Sequence, residues 1–220
     1  MKVMILAAGR GERLRPLTDT CPKPLLCVAG KPLIQYTIEN LQRAGFSEIV
    51  INVAYLGEQI RQTLGDGKQF GVTLVYSVEE TALETAGGII QALPLLGDAP
   101  FLVVNADIAC DFPFTSLQKP LHGLAHLVMI ANPAHNSNGD FYLSKTGVLQ
   151  TTGEPKLTFS GIGLYHPHLF ANLTAGKRKL APLLLEKMAQ GFITGELFTG
   201  FWMDIGSKER LQALEAHLKK

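Results

Sequence analysis

Short apolar runs and helix-patterned stretches alternate through the first half of this chain, and that alternation leaves few folds open. Residues 3–8 form an apolar run that ends at Gly9. From Lys31, with Pro32 near the first turn, Leu33, Ile34, Ile38 and Leu41 recur at helical spacing until Gly45 supplies a stop. Residues 48–54 are rich in β-branched side chains, 58–64 have the pattern of a short helix, 72–78 of a strand, 86–96 of a helix and 101–104 of a wholly apolar strand. Such alternation implies a parallel sheet covered by helices on both faces. Ligands of such sheets sit beyond the carboxyl ends of the strands, where the polar loops after Ala8 and Val104 fall.

The second half is less regular. Strands are expected at 125–131, at 140–143 and 147–150 as a hairpin, and at 158–165. A helix over 179–190 carries Pro182 in its first turn. Strands at 192–198 and 201–205 follow, and Ser207 N-caps a last helix over 208–218. The expected architecture is one α/β domain over residues 1–220, a Rossmann-like, mixed, mostly parallel sheet flanked by helices.

Composition narrows the function. Hydrophobic residues make up 46% of the chain and charged ones 18%, enough to bury a core. Twenty basic against nineteen acidic residues leave a formal charge of +1, which gives no general reason to bind nucleic acid or an anionic membrane. Cys21, Cys27 and Cys110 form no C-x-x-C spacing, which argues for a reducing compartment and against a zinc site. The opening apolar run is too short for a secretory segment and is followed at once by Arg10, Glu12, Arg13 and Arg15. A cytoplasmic location is expected.

Residues 9–30 form a long stretch rich in glycine, proline and charge, and a structureless loop of that length usually serves a function. Gly9-Arg10-Gly11 begins like a dinucleotide fingerprint, but Leu14 stands where its third glycine belongs and Pro16 follows. A triphosphate cradle fits better: the glycines let backbone N–H groups approach phosphate oxygens, and Arg10, Arg13, Arg15 and Lys23 supply positive charge.

The segment from Leu6 through Gly9-Arg10-Gly11-Glu12-Arg13-Leu14-Arg15-Pro16-Leu17-Thr18, followed by Pro22-Lys23-Pro24-Leu25, resembles the signature of the sugar-phosphate nucleotidyltransferases. The resemblance implies the nucleotide-diphospho-sugar transferase fold, with a nucleoside triphosphate and a sugar 1-phosphate as partners and Mg²⁺ as cofactor. Ala7, Ala8, Gly9, Gly11, Glu12, Arg13 and Lys23 would then bind nucleotide, and Arg13 and Lys23 would neutralise phosphate charge in the transition state. Asp107, in Asn105-Ala106-Asp107, and Asp204, in Trp202-Met203-Asp204-Ile205-Gly206, match the family's two metal carboxylates. Ala106 stands where the family usually has glycine, so a positive φ there would be strained.

The segment from Val78 to Gly88 resembles the base-reading loop, with Glu80 and Gly88 as nucleotide contacts and Glu84 in place of a usual glycine. This variant fits best the short members that make UDP-N-acetylmuramate in cell-wall recycling. Guanylyl or thymidylyl transfer, and a sensor without turnover, are the alternatives. Asn105, Asp140, Glu154 and Lys156 are the sugar-binding candidates that the resemblance suggests. It extends to about Leu218 without the left-handed β-helix domain of longer members, so no acyltransferase activity is expected.

Overall fold

The computed structural model describes residues 1–219. Its strands are β1 (Val3–Leu6), β2 (Cys27–Val28), β3 (Lys31–Pro32), β4 (Glu48–Val53), β5 (Thr73–Val78), β6 (Phe101–Asn105) and β7 (Ile108–Cys110) in the first half. The second half adds β8 (Ala125–Ile130), β9 (Phe141–Leu143), β10 (Leu149–Gln150), β11 (Lys156–Tyr165), β12 (Ile193–Phe198) and β13 (Trp202–Asp204). Five α-helices accompany them: α1 (Leu33–Arg43), α2 (Gly57–Leu64), α3 (Glu84–Leu96), α4 (Leu180–Ala189) and α5 (Lys208–Leu218).

The main sheet runs β5-β4-β1-β6-β11-β8-β12. The first four strands are parallel to one another, β8 and β12 are parallel, and β11 runs antiparallel to β6, to β8 and, at its start, to β9, which pairs antiparallel with β10 at the sheet's margin. This is the mixed, mostly parallel sheet that the sequence implies. Pleat alternation explains the unbroken apolar runs. Val3 and Ile5 of β1 face the core beneath α1 and α2, while Met4 faces the one beneath α3 and α4. In β6, Leu102 and Val104 take the first face and Phe101 and Val103 the second.

A third, smaller core gathers Leu14, Leu26, Val28, Leu33, Ile205 and Leu214. It clamps the stretch after β1 between α1 and α5, and each side chain buried there contributes about 1.5–3 kcal/mol. Residues 9–30 are therefore not structureless. They form 3-10 turns at Glu12–Leu14, Leu17–Asp19 and Lys23–Leu25, then the β2–β3 hairpin, whose turn uses Ala29 (φ 48°) and Gly30 (φ 79°). Three-residue turns carry no hydrophobic period, so the pattern of the sequence does not reveal them. α1 begins at Leu33 rather than Lys31, because Pro32 is extended (ψ 141°) within β3.

Candidate active site

A cavity of about 470 Å³ opens at the carboxyl ends of the four parallel strands, with Leu6, Ala7 and Ala8 after β1, Asn52 in β4, Glu79 after β5, and Asn105, Ala106 and Asp107 at the end of β6. Gly9, Gly11, Glu12, Arg13 and Lys23 line its basic side. Gly11 has φ 71°, and a side-chain carbon there would lie 3.0 Å from Thr18 Cγ2 and 3.1 Å from Lys23 Cβ. Thr18 is fully buried and its hydroxyl donates to the Gly11 carbonyl at 3.0 Å. The turn is thus folded onto the segment that carries Lys23, and only glycine satisfies both the angle and the approach.

Of the four cations after β1, Arg13 and Lys23 line the cavity, whereas Arg10 and Arg15 are held elsewhere. Arg10 pairs with Glu12 at 3.1 Å and lies 4.1 Å from the centre of the Tyr55 ring. Arg15 pairs with Asp19 at 2.7 Å. Arg13 makes no ion pair among the described residues, so its charge is available to an anion.

The opposite wall rests on a hydrogen-bond relay that the sequence patterns do not disclose. The Ala7 N–H donates to Asn52 Oδ1 (2.8 Å), Asn52 Nδ2 donates to Glu79 Oε1 (2.7 Å), and the Leu83 N–H donates to Glu79 Oε2 (2.8 Å). Two buried side chains thereby tie the loop after β1 to the loop before α3. A side-chain carbon on Gly88 would lie 2.7 Å from Glu79 Oε1 and 2.8 Å from Asn52 Nδ2, so this glycine makes room for the relay instead of lining the cavity. The signal for it is Asn52 itself, a polar residue in the otherwise apolar strand after Glu48.

Glu84 lines the cavity at the start of α3 with φ 62°, a left-handed conformation that costs a non-glycine residue roughly 1–2 kcal/mol. Ala106, in contrast, is not among the positive-φ residues, and its N–H donates to the Leu6 carbonyl at 3.0 Å, so alanine is unstrained there. Lys177 also lines the cavity. Its segment is docked on α3 by the Arg178 N–H to the Leu83 carbonyl (2.9 Å) and the Gly87 N–H to the Arg178 carbonyl (3.1 Å). In the sequence this lysine is one of a basic run, Lys177-Arg178-Lys179, with nothing to single it out.

The two carboxylates come from a two-stranded ribbon. β13 pairs antiparallel with β7, Asp204 opposite Ile108, and the Ile205 N–H donates to the Asp107 carbonyl at 2.7 Å. Each carboxylate carries a cationic side chain. Lys23 Nζ donates to Asp107 Oδ2, and Arg210 Nη1 to Asp204 Oδ1, with His135 Nε2 3.2 Å from the same oxygen. The second oxygen of each accepts no hydrogen bond among the described residues. Asp107 lines the cavity; Asp204 lies behind its edge at Gly206. No three His, Cys, Asp or Glu residues cluster in a metal-holding group among the described residues. Asp107 on the cavity and Asp204, two residues before the Gly206 edge, are hard oxygen donors of the kind that suit Mg²⁺, which takes one or two protein carboxylates and completes its octahedron with phosphate and water.

Several expected contacts lie outside the cavity. Glu80 is exposed and does not line it. Asp140 accepts from the Phe159 N–H (2.8 Å) and Asn136 Nδ2 (3.2 Å), bracing the start of β9 against β11. Glu154 accepts from the Lys156 N–H (3.2 Å), and neither it nor Lys156 lines the cavity. Asn105 does line it; a side-chain carbon on Gly161 (φ 81°) would lie 2.5 Å from the Asn105 amide nitrogen, so this glycine gives the amide its space.

The family described as Nucleotidyl transferase matches residues 2–141 of this chain. An N-acetylmuramate alpha-1-phosphate uridylyltransferase from Neisseria meningitidis is 52% identical, over 98% of this chain and 97% of its own length. A mannose-1-phosphate guanyltransferase beta-B from Xenopus laevis is 31% identical over 94% of this chain but only 61% of its own. A putative glucose-1-phosphate thymidylyltransferase from Bacillus anthracis superposes with a TM-score of 0.87 at 23% identity, covering 100% of this chain and 96% of that one. HddC from Yersinia pseudotuberculosis, complexed with GMP-PN, gives 0.84 at 19% identity with 99% of both chains covered. These two show the common fold. The family match over more than half of the sequence, with a relative at 52% identity across nearly all of it, establishes that the chain belongs to the nucleotidyl transferase family.

Proposed function

We propose that the protein joins a nucleoside triphosphate to a sugar 1-phosphate with release of pyrophosphate, and that the pair it uses is UTP and N-acetylmuramate 1-phosphate. The observation that carries the reaction class is the convergence of Arg13, Lys23 and Asp107 on one cavity at the sheet's carboxyl edge. The Neisseria relative, similar end to end, carries the choice of substrate.

The chemistry follows from the residues. The Gly9 to Gly11 turn and the Arg13 guanidinium receive the triphosphate, and Lys23 and Lys177 bring positive charge from two other directions. A non-bridging oxygen of the sugar phosphate attacks the α-phosphorus, and the bond to pyrophosphate breaks on the opposite side. No general base is required, because a phosphate monoester dianion is already a nucleophile near neutral pH. Fixed cations stabilise the growing phosphate charge without reorganising, which is where such reactions gain most of their rate. Asp107 and Asp204 would hold a Mg²⁺ ion, which when bound supplies Lewis-acid neutralisation of the phosphate oxygens. Glu84 and the Ala7–Leu83 relay face the base, and Asn105 faces the sugar.

Pyrophosphate release over a matrix of triphosphates and sugar 1-phosphates tests this. UTP with N-acetylmuramate 1-phosphate is expected to give the highest kcat/KM; a preference for GTP with mannose 1-phosphate would transfer the assignment to the second group of relatives. Asp107→Asn and Asp204→Asn should each remove most turnover while leaving the thermal transition intact.

A further inference from the structure

The Arg210 guanidinium is bound on three sides. Nη1 donates to Asp204 Oδ1, the His135 ring lies across it with both nitrogens 3.0 Å from Nη1, and Nη2 rests over Gly206 where a side-chain carbon would collide with it. The same missing side chain accommodates Arg13, whose Nη2 would lie 3.0 Å from a carbon at that position. Two guanidinium groups, one from the turn after β1 and one from the first turn of α5, therefore converge on a single glycine at the cavity edge. Like charges so placed repel unless anions lie between them, and in the structure Asp204 pairs with Arg210 and His135 but not with Arg13.

We propose that Arg210 is a binding residue that shares Asp204 with a divalent cation: cation and guanidinium compete for the carboxylate, and Arg210 turns to substrate phosphate when the cation takes it. The proposal rests on the assignment of Asp204 as a metal carboxylate. Lys23 stands in the same relation to Asp107. Both acidic groups are thus balanced by cations, Lys23 on the cavity and Arg210 at its Gly206 edge. The loaded site then gains two positive charges on phosphate without either side chain leaving its place in the fold. Arg210 suits the exchange because Ser207 Oγ accepts from its N–H at 3.4 Å and α5 anchors its stem, so only the planar head has to move.

The test is direct Mn²⁺ binding, followed by electron paramagnetic resonance on the full chain without nucleotide, together with steady-state kinetics. Arg210→Met removes the competitor and keeps the stem, so Mn²⁺ should bind about tenfold tighter than to wild type. The KM for sugar 1-phosphate or triphosphate should rise about tenfold because a phosphate partner is lost. Arg210→Gln is the second variant, in case the first does not fold, and must shift both quantities the same way. Unchanged or weaker Mn²⁺ binding in the variants overturns the proposal. Loss of a nearby positive charge alone would tighten Mn²⁺ binding without raising either KM, so an unchanged KM for both substrates in both variants also overturns the proposal. If Asp204→Asn leaves wild-type Mn²⁺ binding and Mg²⁺-dependent turnover unchanged, the metal assignment falls and takes the proposal with it. If Asp204→Asn impairs both while Arg210→Met and Arg210→Gln bind as wild type does, only the proposal falls.

Discussion

Gly11 and Glu84 occupy the same kind of backbone well, φ 71° and 62°, for opposite reasons. At Gly11 the angle comes without cost and the missing side chain lets Thr18 and Lys23 close in. Gly11→Ala should therefore destabilise the protein by roughly 1–2 kcal/mol and displace Lys23, so that melting temperature and kcat both fall. An alanine variant with wild-type kcat would show that the close approach is dispensable. Glu84 lines the cavity at the expense of local strain. Glu84→Gly is expected to stabilise the fold by about 0.5–1 kcal/mol, the relief of strain less the greater entropy that glycine loses on folding, while kcat/KM for the triphosphate drops. Loss of stability would mean that the carboxylate is held by more than its backbone. The sequence shows both positions, since a glycine is visible and its replacement is too. It shows Asn52, Glu79 and Lys177 only as members of a strand, an acidic pair and a basic run, because what selects them is burial and long-range contact.

Among the elements, those with a hydrophobic period or an unbroken apolar run are legible. β1, β4 and β6 are marked by residues that reach both large cores, α1 by Ile34, Ile38 and Leu41 in the first of them, and α5 by its N-capping serine, whose Oγ accepts from the Arg210 N–H. β7 escapes notice because three residues directly after a turn carry no pattern, yet it orders the ribbon that brings Asp107 beside the β13 end. Most of the third core is equally hidden. Leu14, Leu26 and Val28 gain their meaning from Ile205 and Leu214, the latter 200 residues beyond the first of them. Leu214→Ala should cost roughly 2–5 kcal/mol and loosen the turn after β1 ahead of the sheet. Limited proteolysis should then cut within residues 9–30 at temperatures where β1 to β6 remain protected from hydrogen exchange. Simultaneous loss of both regions would show that the small core is not separable from the large ones.

At the scale of the whole molecule, the β12 edge of the sheet carries a charge cluster that responds to acid. At the β12 edge the His126 imidazole, 3.7 Å away, and the Lys119 ammonium, 3.2 Å away, hold the Glu196 carboxyl below its ordinary range against the opposing effect of burial. A lowered folded value means that the ionised carboxylate adds stability, fully present above the ordinary carboxylate range and lost as pH falls through the folded value. Glu196→Gln should accordingly melt below wild type near neutral pH, with the difference shrinking under acid; a gap that stays constant with pH would refute the linkage. The placement of Leu214 also bears on the making of the protein. Every strand of the main sheet and the whole turn after β1 leave the ribosome before α5, so a nascent chain can possess its sheet and still lack the staple that fixes Arg13 and Lys23. Competence for nucleotide transfer arrives with the last helix, and an unfinished chain would be a folded but idle one.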